Sequence, residues 1–169
     1  MERSVLIFPK LATIDAVTAV RRNYDPLAQN IRPHISLIFP FDSPVADAVL
    51  MTAVADVIQK TPAFSVDFAT IAGDYANGYF WLAATSGAEQ LTALHDQLYA
   101  LPYFKDYQRT DIPYQPHITL GHVAPDEAST IVAALDCATL TTRTAINEVA
   151  IERILSNGDS AVFANLRMQ

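Results

Sequence analysis

The sequence predicts an α+β protein of two duplicated antiparallel sheets with outer helices, arranged as two lobes around a central cleft. Short apolar runs alternate with helical stripes along most of the chain. A Pro-His-Ile-hydroxyl-Leu segment occurs twice, at Pro33–Leu37 and Pro116–Leu120, with the two histidines 83 residues apart. Each copy leads into a helix, a strand, an Asn-Gly turn and another strand, with 43 residues from His34 to Asn77 and 40 from His117 to Asn157. The 169 residues suit one bilobal domain spanning 1–169, with two pseudo-symmetric lobes, one motif each, around His34 and His117.

Each element follows from local chemistry. Val5 to Phe8 reads as a short buried strand ended by Pro9, and Leu11, Ile14, Val17 and Val20 then recur at helical spacing up to Arg21 and Arg22. Tyr24 to Pro33 is a polar connection into a strand, His34 to Phe39, which Pro40 stops. Ser43 and Pro44 predict a helix start, the hydroxyl capping and the proline filling the first turn. That helix runs to about Lys60, with Ala46, Val49, Leu50, Ala53, Val54, Val57 and Ile58 on its buried stripe.

Phe64, Val66 and Phe68 alternate with Ser65 and Asp67, and with Tyr79 to Ala84 they predict a hairpin across Asn77-Gly78. Leu91, Leu94, Leu98 and Leu101 mark another helix, and Pro102 to Pro113 is a loop long enough to act as a lid. Tyr114 to Leu120 is a strand, Pro125, Asp126 and Glu127 open a helix through Leu135, and Val149 to Leu155 turns through Asn157-Gly158 into Ala161 to Leu166.

Composition removes whole classes of function. Eleven Lys and Arg against 18 Asp and Glu leave a net charge of −7, which disfavours a non-specific binder of long duplex nucleic acid. The single cysteine, Cys137, allows no internal disulfide, and with four histidines it offers no Cys-rich zinc spacing. No apolar run is long enough for a signal sequence or a membrane span, so the expected setting is the cytoplasm, with no membrane partner. Glycine-rich phosphate loops, a Gly-x-Ser-x-Gly elbow and a His-Glu-x-x-His zinc motif are missing.

Side chains two apart on a strand share a face, so His34 points with Ser36 and His117 with Thr119. Ile35, Leu37, Phe39, Ile118 and Leu120 are then expected on the opposite, core face. Duplication sets the two polar pairs opposite each other, a four-cornered site suited to metal-free displacement at phosphorus. One imidazole takes a proton from the attacking oxygen and the other protonates the leaving oxygen, while the two hydroxyls hold the phosphate oxygens.

These two segments resemble the paired His-x-Ser/Thr motifs of the 2H phosphoesterase superfamily, which includes LigT-like 2′-5′ RNA ligases and cyclic phosphodiesterases. The order of strands and helices is similar to that family's bilobal fold over nearly the whole chain. The resemblance implies His34 and His117 as the catalytic pair, Ser36 and Thr119 as phosphate-binding partners, no metal and no cofactor. It also implies chemistry at a 2′,3′-cyclic phosphate or a 2′-5′ phosphodiester. Ser36 stands where threonine is frequent in the family. The leading expectation is hydrolysis of 2′,3′-cyclic phosphates on RNA ends or small nucleotides by a monomer. The alternatives are a 2′-5′ RNA ligase or phosphodiesterase using the same site, and a nucleotide- or RNA-binding module without turnover.

Other polar residues receive less weight. His95 lies on the leucine stripe as a hydrogen-bonded residue at the edge of the core, and His122 falls on the far face of its strand unless a bulge intervenes. Tyr114 is a candidate substrate contact or a packing aromatic. Arg32, Lys105 and Arg109 are candidates for local positive charge, and Tyr103, Phe104 and Tyr107 for stacking a base.

Overall fold

The computed structural model describes residues 1–169. In chain order it contains β1 (Glu2–Ile7), α1 (Ile14–Tyr24), β2 (Ile35–Asp42), α2 (Asp47–Ile58), β3 (Phe64–Asp74), β4 (Tyr79–Ala84) and α3 (Ala88–Tyr99). After these come β5 (His117–His122), α4 (Pro125–Ala134), α5 (Cys137–Leu140), β6 (Thr142–Ile146), β7 (Glu148–Ile154) and β8 (Ser160–Arg167). The strands form two four-stranded sheets, ordered β2-β1-β7-β8 and β5-β4-β3-β6, with every pairing antiparallel.

The hairpin that follows each motif joins the sheet of the other motif. β3 and β4 follow the first motif yet pair beside β5, and β7 and β8 follow the second yet extend the sheet of β2. Both motif strands are edge strands, and β2 lies against β5 where the sheets meet. The units β1-α1-β2 and β4-α3-β5 correspond, and their helices cross over: α1 packs on β5 and α3 on β2. A single apolar cluster of 28 buried residues therefore draws on both sheets and on all five helices, so one core serves both.

Several local expectations are corrected. Pro40 does not stop β2, which continues to Asp42, because an edge strand has one side without a ladder and tolerates a residue with no amide hydrogen. Ser43 and Pro44 do not open α2, which begins at Asp47 after Ala46. The Ser43 hydroxyl instead accepts from the Val45 amide at 3.1 Å in a local turn. Buried Arg3 holds this segment extended through the carbonyls of Ser43 and Val45, the latter at 2.7 Å, and pairs with Asp47 at 2.8 Å. The buried stripe of α2 is narrower than expected: Leu50, Val54 and Ile58 are buried, whereas Val49 is 42% exposed.

The hairpin turn at Asn77-Gly78 forms as expected, with Gly78 at φ 80°, a left-handed conformation that disfavours any side chain. Two elements escaped the sequence reading, the one-turn helix α5 and strand β6, whose polar Thr-Arg-Thr start carries no strong apolar run.

Candidate functional site

Both motif strands depart from regular alternation at the same point. Leu6 and Val5 of β1 pair with Ser36 and Ile38, leaving Leu37 as an extra residue; Trp81 and Phe80 of β4 pair with Thr119 and Gly121, leaving Leu120 as its counterpart. A bulge of this kind turns two successive side chains inward. Leu37 with Ile38, and Leu120 with Gly121, are accordingly buried. The next residue then shares the face of the motif hydroxyl.

The expected core position of Phe39 is therefore corrected. Phe39 is half-buried and lines a cavity with Trp81 and His117. His122 likewise comes to the face of Thr119, stacked on Tyr79 with ring centroids 3.9 Å apart and planes 3° from parallel. Close helix packing explains Gly121, since a Cβ there would lie 2.8 Å from Tyr24 Cβ and on the Phe80 ring.

The two imidazoles are held alike. His34 Nδ1 is 3.0 Å from the Arg32 carbonyl and His117 Nδ1 is 2.6 Å from the Gln115 carbonyl, each two residues back across a proline. A carbonyl oxygen only accepts, so each Nδ1 carries the hydrogen and each Nε2 is left for proton exchange. Prolines 33 and 116 keep the preceding residue extended, which aims both carbonyls the same way. Burial holds the His34 pKa at about 4 against the upward pull of the Arg32 carbonyl; the charges of Arg21 and His117 lower it further, and Asp25 opposes them. Burial also lowers His117, opposed by the bond to Gln115. His34 meets the edge of Phe8 at 6.3 Å, and His117 lies 4.8 Å from the Trp81 ring.

Ser36 and Thr119 are half-buried on the faces of their histidines, and the register places Ser36 opposite Leu6 and Thr119 opposite Trp81. Three groups grip the bulge of β2. Tyr114 Oη donates to the Ser36 carbonyl at 2.8 Å, His95 Nδ1 donates to the Leu37 carbonyl at 2.8 Å, and the Phe39 amide donates to Tyr99 Oη at 3.1 Å. Tyr114 also stacks on His95, with centroids 3.7 Å apart. Tyr114 thus ties the segment before β5 to the backbone of β2, and burial pushes its hydroxyl pKa up. His95 is the satisfied residue at the core's edge that its stripe implied.

Cavities flank the seam. One of about 170 Å³ adjoins His34 and Ser36, and one of about 210 Å³ adjoins His117 between Phe39, Trp81 and Pro113. The Asp25–Pro33 connection lies over the first sheet, fixed by the buried pair of Arg21 and Asp25 at 2.7 Å and by Asn30 donating to Asp159 at 2.9 Å. Beyond it a hollow of about 590 Å³ is lined by Lys10, Arg21 and Arg32, and Arg32 stacks on Phe8 at 3.9 Å.

Of the cations singled out from sequence, Arg32 adjoins the site, Arg109 is exposed and paired with Asp111 at 2.6 Å, and Lys105 is exposed in a short turn. In the 102–113 loop, Phe104 is buried against Phe41 at 5.2 Å and Tyr107 Oη donates to the Asp42 carbonyl at 2.8 Å, so both are committed to the protein. Trp81, Arg21, Ser4 and Glu152 were missed from sequence. The last two carried a signal, as a hydroxyl at the head of the apolar run Val5–Ile7 and an acid at the end of the apolar run Val149–Ile151.

Two antiparallel sheets meeting along edge strands that each carry His-x-Ser/Thr define the fold of the 2H phosphoesterase superfamily. The chain belongs to the 2′-5′ RNA ligase superfamily, whose family model matches residues 9–158. A protein of Shouchella clausii named as a candidate phosphoesterase is 24% identical over 171 residues, covering 100% of this chain and 99% of its own. Escherichia coli LigT, solved as a complex with ATP, superposes with a TM-score of 0.68 at 15% identity, covering 99% of this chain and 98% of LigT. A protein of Thermus thermophilus superposes with a TM-score of 0.67 at 19% identity, covering 99% of this chain and 98% of its own. No helix is long and apolar enough to cross a membrane.

Proposed function

We propose that this chain is a metal-independent phosphodiesterase that opens 2′,3′-cyclic phosphates on small nucleotides or RNA ends. The observation that carries the reading is the matched orientation of the two imidazoles, each with Nδ1–H on the carbonyl two residues back and each beside a motif hydroxyl. His34, neutral at pH 7 with a pKa of about 4, is the base. Its Nε2 takes a proton from water as the water oxygen bonds to phosphorus. His117 gains a proton when the phosphate anion enters and passes it from Nε2 to the ribose oxygen whose bond to phosphorus breaks. A phosphomonoester and a free ribose hydroxyl result. Ser36 and Thr119 donate to the non-bridging oxygens as charge builds on them.

On this reading the protein works as a cytoplasmic monomer without a cofactor, and its net charge of −7 suits a small substrate rather than a long duplex. Run in reverse between two nucleosides, the same four residues would serve 2′-5′ ligation or cleavage, a second reading favoured by the presence of a cavity on each side of the seam.

The test is a panel of 2′,3′-cyclic nucleotides and 2′-5′-linked oligomers with product identification. His34→Ala and His117→Ala should each lower kcat by ~10² to 10⁴ while the fold survives. Full activity in the double variant would refute the mechanism. Nucleotide binding without product, even after prolonged incubation, would reassign the chain as a binding module.

A further inference from the structure

The cavity beside His34 and Ser36 has a buried carboxylate in its lining. Glu152 on β7 is 2% exposed, and its two oxygens accept from two hydroxyls, Ser4 Oγ at 2.7 Å and Ser160 Oγ. Two other buried or half-buried acids are neutralised by arginine: Asp25 by Arg21 at 2.7 Å, and Asp47 by Arg3 and Arg153. Glu152 forms no such pair, and the side chain of neighbouring Arg153 is engaged by Asp47. A carboxylate has four acceptor positions, and two hydroxyls leave one open on each oxygen. Burying such a group is costly unless something bonds it. The rest of the cavity is largely apolar, with Leu27, Ile31 and Ile154 as walls. Its volume of about 170 Å³ is well below the ~300 to 1,000 Å³ of pockets for drug-sized ligands, so it suits one flat ring.

We infer that this cavity is a base subsite selective for guanine, with Glu152 accepting from guanine N1–H and the 2-amino group together; the inference rests on the phosphodiesterase reading. Among the four common bases only guanine presents two adjacent donors on that edge. Adenine and cytosine set a ring-nitrogen lone pair beside their amino group, and uracil flanks its single N–H with carbonyls, so each turns an acceptor toward the carboxylate. The apolar walls hold the ring faces, and the sugar's cyclic phosphate then extends toward His34 and Ser36.

The experiment compares kcat/KM for the 2′,3′-cyclic phosphates of guanosine, adenosine, cytidine and uridine with full-length wild type, Glu152→Gln and Glu152→Asp, all checked by thermal melting. In parallel, calorimetry measures Kd for 3′-GMP and 3′-AMP. Wild type should favour the guanosine substrate by about tenfold or more, the scale of one bidentate base contact. Glu152→Gln should collapse that ratio to within about threefold, because its amide sets a donor against a donor. Glu152→Asp keeps the charge but retracts it, and should lower the ratio too if the Gln variant does not fold.

Equal kcat/KM across the four bases in wild type, or an unchanged ratio in both variants, overturns the inference. A uniform loss on all four substrates does so as well, since it assigns Glu152 to structure alone. If no cyclic nucleotide is turned over, the phosphodiesterase reading fails by itself. The subsite is then judged by binding: tighter 3′-GMP than 3′-AMP, lost on Glu152→Gln, supports it, and equal affinities overturn it.

Discussion

Replacing His34 with Asn should flatten part of the acid dependence of folding stability. The folded protein holds this imidazole at a pKa of about 4 by burial, whereas the unfolded chain returns it to ~6.5. Below the unfolded value the unfolded state takes up a proton that the folded state refuses, so stability falls as pH drops from ~6.5 toward 4. At pH 5 the loss is about 2 kcal/mol, and by pH 4 it approaches 3 kcal/mol, at ~1.4 kcal/mol per unit. His34 is half-buried, so these figures are ceilings. Asparagine does not titrate and keeps a donor for the Arg32 carbonyl. Urea unfolding at pH 7.5 and 5.0 for both proteins isolates the effect, because the carboxylates and His117 remain in each. Wild type should lose up to about 2 kcal/mol more than the variant between those pH values. Parallel losses, within about 0.5 kcal/mol, would mean that the ring is not held neutral by burial and would remove the ground for naming His34 the base.

Ser36→Ala and Thr119→Ala should each lower kcat by ~10² to 10³, with a smaller effect on KM, as steady-state kinetics would show. Tyr114→Phe removes the hydroxyl on the Ser36 carbonyl, leaving a buried acceptor unmet at a cost of ~1 to 3 kcal/mol. Its melting temperature should fall by ~2 to 4 °C per kcal/mol, and an unchanged value would show that the bond is not formed. Gly121→Ala drives a methyl onto Phe80 and Tyr24 and should cost ~1 to 3 kcal/mol in chemical denaturation; full stability would contradict the bulge at Leu120. Because two imidazoles supply both proton transfers, EDTA should leave the rate unchanged, and a strict metal requirement would count against the mechanism.

The site was legible from sequence where its chemistry is local. His34 with Ser36, and His117 with Thr119, share a face because strand periodicity demands it, and the repeated flanks fall on the two edge strands that meet, β2 and β5. Periodicity failed beyond Leu37 and Leu120, since an extra residue depends on what the neighbouring strand offers. Phe39 and His122 therefore changed sides without any signal in their own segments. Pro40 misled for a related reason: whether proline ends a strand depends on whether that strand is an edge, a property of the sheet rather than of the residue. Glu152 follows Val149, Ala150 and Ile151, where an acid at the end of a buried run marks a polar position, but its partners Ser4 and Ser160 come from the far N-terminus and the next strand. Only tertiary structure assembles that cluster.

A break in the backbone anywhere between Pro102 and Pro113 would leave each fragment with half of both sheets, since β1 to β4 fall on one piece and β5 to β8 on the other. Neither piece could present even one finished wall of the groove. Folding and assembly of the candidate site are therefore gained or lost as one event, and neither motif can be isolated by simple excision.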